Sequence, residues 1–551
     1  MEIKIQDLMY AYKKVKVDLF YSNCENYASL LQYEHDLEKN LLNLKNKIEQ
    51  YAENPKPLDY INSDSSYSLI GKEYDSVKGI TLRVMSNFPI EFHVLSSLWI
   101  QKIGFKIDAE FDDSMIWGNR LRRCADGEPN KMALGNFKPY SGQYHHWQDN
   151  AIKAIQCSLE ADIDVSVFST DAKAFYHSIS PRVLKDKKLD KYTVGFENLH
   201  AMFSDAIIEW SENPKAIFLQ PKNGKHLGIP VGLSASCVIA NWVLRDLDQE
   251  IAETIRPLSY GRYVDDILLV VPANKGDKTR HSFSQWLLDR IEALKFCPKE
   301  DGSGEYLQFT WKPAIGSVDI PNITISFDNG KEQYQEFSGE RGKAGLGIFI
   351  RQIQERTSEW RALPELPTSK SKVIGRLLEV TDAKMVPSQT LGSYTKISVV
   401  KSRFAFLLRD LESCLRIFPP DAWKEQRIAF LEAFATYLIT PEEFFTYEKY
   451  LYRVLALGVV CLDYTAISNL LSKFEKLIKE FADSDKPCKL AGFLNLSSKM
   501  DPKNCHALLL YAQTIRGNVR DLFYRGNPNF DIDTFIDTFS RDFLEARVSV
   551  N

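Results

Sequence analysis

Apolar residues recur with a helical period at the start of the chain. Leu8, Tyr12, Val15 and Leu19 fall on one face, and LLQYEHDLEKNLLNLKNKIEQY repeats the arrangement further on, so residues 3 to 52 are expected to be helical. From Lys78 to Ile90 the pattern of ITLRVMSNFPI alternates as a strand does, and HVLSSLWIQKIG then reads as a helix ended by Gly104. HHWQDNAIKAIQCSLEA, from His145 to Ala161, predicts an amphipathic helix, and VSVFSTDAKAFYHSIS a buried strand running into a turn. After KNGKHLGIPVG comes a long helical run, SASCVIANWVLRDLDQEIAETI. The order of strand and helix predicts an α+β fold.

The next stretch, YGRYVDDILLVV from Tyr260 to Val271, sets two aspartates between two runs of strand formers. It reads as a hairpin whose two-residue turn is Asp265-Asp266. Adjacent carboxylates repel, and the turn is either a solvated acidic loop or a site for a hard divalent cation, which takes oxygen ligands and cancels the repulsion. A third carboxylate is available in Asp171, at the end of the apolar strand VSVFSTD and ninety-four residues before Asp265. Taken alone, Asp171 could equally cap the following helix.

Beyond about Lys372 only helical patterns remain, arriving roughly every twenty residues with Pro at the boundaries. Thr440-Pro441-Glu442-Glu443 is a helix start with a capping Thr, Pro at the first position and Glu three on. Such helices form either a HEAT-like stack or a plain bundle. FFTYEKYLYRVL carries more aromatic surface than one helix face needs, which predicts that part of it meets a partner.

Composition changes this picture little. At 551 residues the chain should hold two to four domains. Its net charge of −4 means that any polyanion must be met by a local basic surface, not by the bulk balance. Nine cysteines without a C-x-x-C pair argue against a zinc site and a secreted disulfide framework, and no apolar run is long enough to span a bilayer. A cytoplasmic protein without membrane contact is expected. WGNRLRR sets Arg120, Arg122 and Arg123 beside Trp117, a pattern suited to phosphate tracking and base stacking, or to a solvated loop.

The ordered set D-A-K-A-F-Y at Asp171, G-I-P-V-G-L-S-A-S before a long helix, and Y-V-D-D at Tyr263 resembles the palm motifs A, B and C of reverse transcriptases. The resemblance covers residues 78 to 345 and implies a right-hand fingers and palm. It implies the domains 1–75 (helical element), 76–345 (fingers and palm), 346–371 (connector) and 372–551 (α-helical). In that family Asp171 and Asp265, helped by Asp266, would hold two Mg²⁺ ions, or Mn²⁺, that clamp the attacking 3′-hydroxyl and the departing pyrophosphate. The resemblance gives Lys78 and Arg83 the triphosphate, and places Phe175, Tyr176, Val231, Gly232 and Tyr263 around the nucleotide. RNA polymerases with this palm tend to carry a second Asp at the position of Tyr176, so the aromatic ring there implies deoxynucleotides. Val231 stands where the family commonly has Gln, which removes a polar contact to the nucleotide. Ser234 and Ser236 are expected to cap the motif B helix. Lys312 in LQFTWKP matches the motif D lysine that protonates pyrophosphate.

FYHSI, WGNRLRR and the helical C-terminal part narrow the resemblance to bacterial defence-associated, abortive-infection reverse transcriptases. It implies an RNA-directed DNA polymerase in antiphage defence, with dNTPs, an RNA template such as a non-coding RNA, and a DNA product as partners. A homo-oligomer is also open. Two alternatives remain: template-independent or protein-primed synthesis by the same site, and a catalytically silent nucleic-acid-binding scaffold.

Overall fold

The computed structural model describes residues 3–21, 27–53, 55, 66–75, 79–214, 226–273, 280–298, 305–317, 319–327, 333–339, 404–405, 407–415, 418–447, 450–482 and 488–491. Among them lie ten strands: β1 (Tyr67–Asp75), β2 (Gly79–Ser86), β3 (Val165–Asp171), β4 (Ser259–Tyr263), β5 (Asp266–Pro272), β6 (Leu294–Pro298), β7 (Glu305–Trp311), β8 (Ile323–Phe327), β9 (Gln333–Phe337) and β10 (Cys488–Ala491). The fold is α+β. The chain divides into two compact units, one of Met1–Tyr67, Met85–Trp360 and Gly492–Leu496, the other of Ser68–Val84, Arg361–Ala491 and Ser497–Asn551.

In the first unit the N-terminal helical pattern becomes the helices Ile5–Tyr21, Tyr27–His35 and Leu37–Glu49, with Leu8, Tyr12, Val15 and Leu19 buried as their spacing requires. Two polar residues of the same helix fasten it. Lys14, buried, donates from Nζ to the carbonyls of Asn130, Ala133 and Gly135 at 2.9, 3.1 and 2.8 Å. Asp18 accepts from Asn136 Nδ2 at 3.2 Å and Ser234 Oγ at 3.4 Å. Ser234 therefore spends its hydroxyl on Asp18 and does not cap the helix it begins, contrary to expectation.

The central sheet of this unit runs β4-β5-β3-β9 and is antiparallel throughout. β3 sits inside it, which is why VSVFSTD is buried at nearly every position. The helix Tyr140–Glu160 packs on β3, β4 and β5, and a second sheet, β6-β7-β8, meets the helix Ser234–Glu250 through β7. The helix that begins at Ile90 does not stop at Gly104. It widens to a π turn over Ile100–Gly104 and continues as Phe105–Asp108. Gly104 keeps right-handed helical angles, and a Cβ there would stand 3.1 Å from the Trp99 ring, so close packing rather than helix termination accounts for the glycine.

The second unit corrects the expectation of helices alone beyond Lys372: β10 pairs in parallel with β2, Cys488 opposite Ile80 through Ala491 opposite Arg83. The helices Lys424–Tyr437, Leu451–Val460 and Tyr464–Ala482 pack on one another. Thr440 Oγ1 accepts from the Glu443 amide at 3.4 Å, as the helix-start pattern predicts. Three aromatics of FFTYEKYLYRVL turn inward: Phe444, Phe445 and Tyr447 are buried, and Phe404 meets Tyr447 and Tyr450 edge to face, both at 5.1 Å. Arg427 and Asp463 form a buried ion pair among these helices. The expected connector, 346–371, lies outside the described residues. No helix among the described residues is long and apolar enough to cross a membrane.

Burial raises the Asp18 carboxyl from 3.8 to about 6, against the opposing pull of Asn136, Lys14, Ser234 and Arg122. A carboxyl raised in the folded state takes up its proton before the unfolded chain does, so its charge opposes folding above pH 6 and ceases to do so as pH falls toward 4. Asp18→Asn is expected to raise the melting temperature at pH 7.5, with the gain over wild type shrinking toward zero at pH 4. Thermal melts across that range check this, and a variant less stable at pH 7.5 would show that attraction to Lys14 and Arg122 outweighs burial.

Candidate active site

The ladder between β3 and β5 runs in register from Val165 opposite Pro272 to Asp171 opposite Asp266. Directly opposed residues of an antiparallel pair project from the same face, with Cβ atoms about 5 Å apart. Asp171 and Asp266 are therefore partners at one end of the sheet. Asp265 stands next to them, and its carbonyl accepts from the Ala172 amide at 3.2 Å, closing the end of β3 onto the turn.

The turn itself is displaced by one residue from the sequence expectation. Its central residues are Val264 and Asp265, with Tyr263 opposite Asp266, so Asp266 belongs to the strand. Of the two, Val264 alone has positive φ, at 60°, the type II′ arrangement that favours Gly in its first position. A β-branched residue there costs on the order of 1–3 kcal/mol, and the surroundings must hold it.

Arg262 does so. Its guanidinium is 0% exposed. Nε donates to Asp248 Oδ1 at 2.9 Å and Nη2 to Asp248 Oδ2 at 2.7 Å, while Nη1 donates to Asn241 Oδ1 at 2.9 Å and to the Val264 carbonyl at 2.6 Å. Nη2 also reaches the Asn241 carbonyl at 3.3 Å. Tyr260 Oη donates to Asp248 Oδ1 at 2.5 Å; burial first and Asp248 second push its phenol well above the ordinary value. Asn241 and Asp248 both lie on the helix Ser234–Glu250, two turns apart.

The glycines of GIPVG bring that loop against the segment that follows β3. Gly228 has φ +87°, and a Cβ on it would fall 2.3 Å from His177 Cα and 2.4 Å from the Tyr176 carbonyl, so no other residue allows this approach. The Ile229 amide donates to that same carbonyl at 2.9 Å. Val231 accepts at its carbonyl from both the amide and the hydroxyl of Ser86, each at 2.9 Å, and Gly232, with φ +99°, is exposed beside Ser86 and Met85. Tyr176 Oη lies 3.5 Å from Cys237 Sγ, on the helix that follows. Burial raises the Tyr176 phenol well above its ordinary value, with Cys237 and then Asp265 adding to the rise.

Other expected residues take different places. Phe175 is 3% exposed and Tyr263 6%, both turned into the protein: Tyr263 meets Tyr140 and Tyr144 edge to face at 5.3 and 5.2 Å. Arg120 is 3% exposed and bonded to Asp108, to Asp113 and to the Ile116, Asp108 and Phe111 carbonyls, so it is structural, not a phosphate contact. Arg122 donates to the Phe137 carbonyl at 2.6 Å, and Arg123 pairs with Asp108 at 2.8 Å over the Phe105 ring. Lys312 is exposed one residue past β7, where its carbonyl accepts from Lys188 Nζ. Arg83 is exposed on β2 in the second unit, and Lys78 lies outside the described residues.

WGNRLRR thus frames the hairpin. The Trp117 amide donates to the Arg262 carbonyl at 2.9 Å, Asn241 Nδ2 donates to the Gly118 carbonyl at 2.9 Å, and a Cβ on Gly118 would stand 2.5 Å from the Val264 nitrogen.

Among the described residues no group of three or more His, Cys, Asp or Glu is arranged to hold a metal ion. Asp171 and Asp266, opposed on the ladder, nevertheless offer the carboxylate oxygens that a hard divalent cation prefers, and Asp265 is one residue away. The donor chemistry fits Mg²⁺ or Mn²⁺. The chain matches no known family model and no curated protein sequence.

Proposed function

We propose that this chain is a DNA polymerase of the reverse-transcriptase type, adding deoxynucleotides along an RNA template in bacterial antiphage defence. The observation that carries the reading is the opposition of Asp171 and Asp266 at the end of the ladder, with Asp265 in the adjoining turn. The order of the three sequence motifs supports it. Asp171, Asp265 and Asp266 are the residues to hold divalent ions, which when bound would activate a 3′-hydroxyl and neutralise a leaving pyrophosphate. The chain's own part is to bind and orient. The strand register sets two carboxylates opposite each other, the loop from Gly228 to Gly232 lies with its backbone against the main chain of Tyr176 and His177, and Tyr176 holds the position at which, by the resemblance, a ring would exclude a ribose 2′-hydroxyl.

Asp171→Ala and Asp265→Ala are each expected to cut radiolabelled dNTP incorporation with Mg²⁺ by about 10²–10³-fold or more, the scale of losing one stabiliser of transition-state charge, while the melting curve stays that of a folded protein. Comparing untreated with RNase-treated enzyme in the same assay separates templated from untemplated synthesis. Near-normal incorporation by either variant removes the assignment.

Tyr176→Ala is expected to admit ribonucleotides. The ratio of rNTP to dNTP use, measured in both proteins, should rise by about tenfold or more if the ring excludes the 2′-hydroxyl, since about 1.4 kcal/mol of discrimination is a factor of ten. An unchanged ratio places sugar selection elsewhere.

A further inference from the structure

We infer that Arg262 is a positioning residue for the acid-bearing turn: its Nη1 bond to the Val264 carbonyl holds the left-handed backbone that sets Asp265 in the turn and Asp266 opposite Asp171. This deepens the polymerase reading and, for its kinetic test alone, rests on it.

A guanidinium has five N–H groups in a fixed fork, and here each has an acceptor. Asp248 takes Nε and one hydrogen of Nη2, Asn241 takes one hydrogen from each terminal nitrogen, and the Val264 carbonyl takes the last at 2.6 Å. The first four fix the guanidinium to the helix Ser234–Glu250, so the fifth donor is aimed before the turn forms. Val264 needs such a partner, because it occupies the one turn position where φ is positive and where Gly is otherwise preferred. Gly118 closes the other side, with room for no Cβ against the Val264 nitrogen. Neither Lys nor any other side chain reproduces this: an ammonium keeps the charge opposite Asp248 but lacks the fork that also reaches Val264.

Clamp and strain make a specific test. Gly adopts positive φ freely, so Val264→Gly removes the need for the clamp. Full-length wild type, Arg262→Lys, Val264→Gly and the double variant are compared by hydrogen–deuterium exchange of the peptide covering residues 259–268, and by kcat and KM for dNTP. Arg262→Lys is expected to speed exchange across the turn about tenfold and lower kcat by a similar factor with KM little changed. Adding Val264→Gly should return both to within about threefold of wild type, a strong departure from independent effects.

Independent effects in the exchange data would overturn the inference, as would an Arg262→Lys protein whose turn and kcat are those of wild type. If Arg262→Lys fails to fold, a double variant that folds supports the inference. A double variant that also fails overturns it, since the guanidinium would then serve the fold and not the turn. Should the wild type incorporate no nucleotide at all, the polymerase reading falls while the exchange comparison still decides the role of Arg262.

Discussion

A guanidinium with no access to water has to find an acceptor for every N–H, and in this chain Arg262 finds them on one helix and one turn. Leaving one partner of a buried ion pair without the other typically costs about 3–5 kcal/mol, so the helix Ser234–Glu250 and the hairpin β4–β5 are bound to each other's geometry. Tyr260 and Gly118 are drawn into the same group, the first through Asp248 and the second through Asn241. The positions of the acids follow from it. With the turn held at Val264-Asp265, the two-residue period of the strand puts Asp266 on the face of Asp171, whereas a slip of one residue would turn it to the other face.

Backbone contacts also fix the loops beside that end of the sheet. Gly228 lets the GIPVG loop lie on the main chain of Tyr176 and His177, and Ser86 holds the carbonyl of Val231. Phe175 and Tyr263 are buried, Tyr263 directly opposite Asp266 on the ladder. That end of the sheet has its shape set by hydrogen-bond geometry and strand register, which are less forgiving than apolar packing.

Much of the first unit was legible in the residue pattern. The helices near the N-terminus, the buried strand ending at Asp171, the long helix after GIPVG and the hairpin all appear where periodicity places them, because each buries one face or both. The turn was misplaced by one residue, since local preference favours Asp over Val at positive φ and only the tertiary contact from Arg262 reverses that preference. The arginines of WGNRLRR read as a basic surface because sequence shows charge but not the carboxylate it faces; Asp108 lies twelve residues before Arg120 and on a preceding helix. Arg262, Asn241 and Asp248 passed unnoticed. Their signal was present, though: a lone Arg inside a hydrophobic strand, and two polar residues seven apart on the buried face of an apolar helix. In the second unit helix periodicity cannot reveal how many neighbours a short helix will have, and Phe404 and Phe474 supply rings that cover Tyr447 and Phe444.

The central claim is that Asp171, Asp265 and Asp266 act together as a site for divalent ions. Titrating the full-length protein with Mn²⁺ and following the free ion by electron paramagnetic resonance tests it most directly, because the readout needs neither template nor primer. The account predicts saturable binding of two ions per chain in the presence of a dNTP, competed by Mg²⁺ and lost at one or both positions in Asp171→Asn and Asp266→Asn. Wild-type stoichiometry and affinity in both of those variants would contradict it.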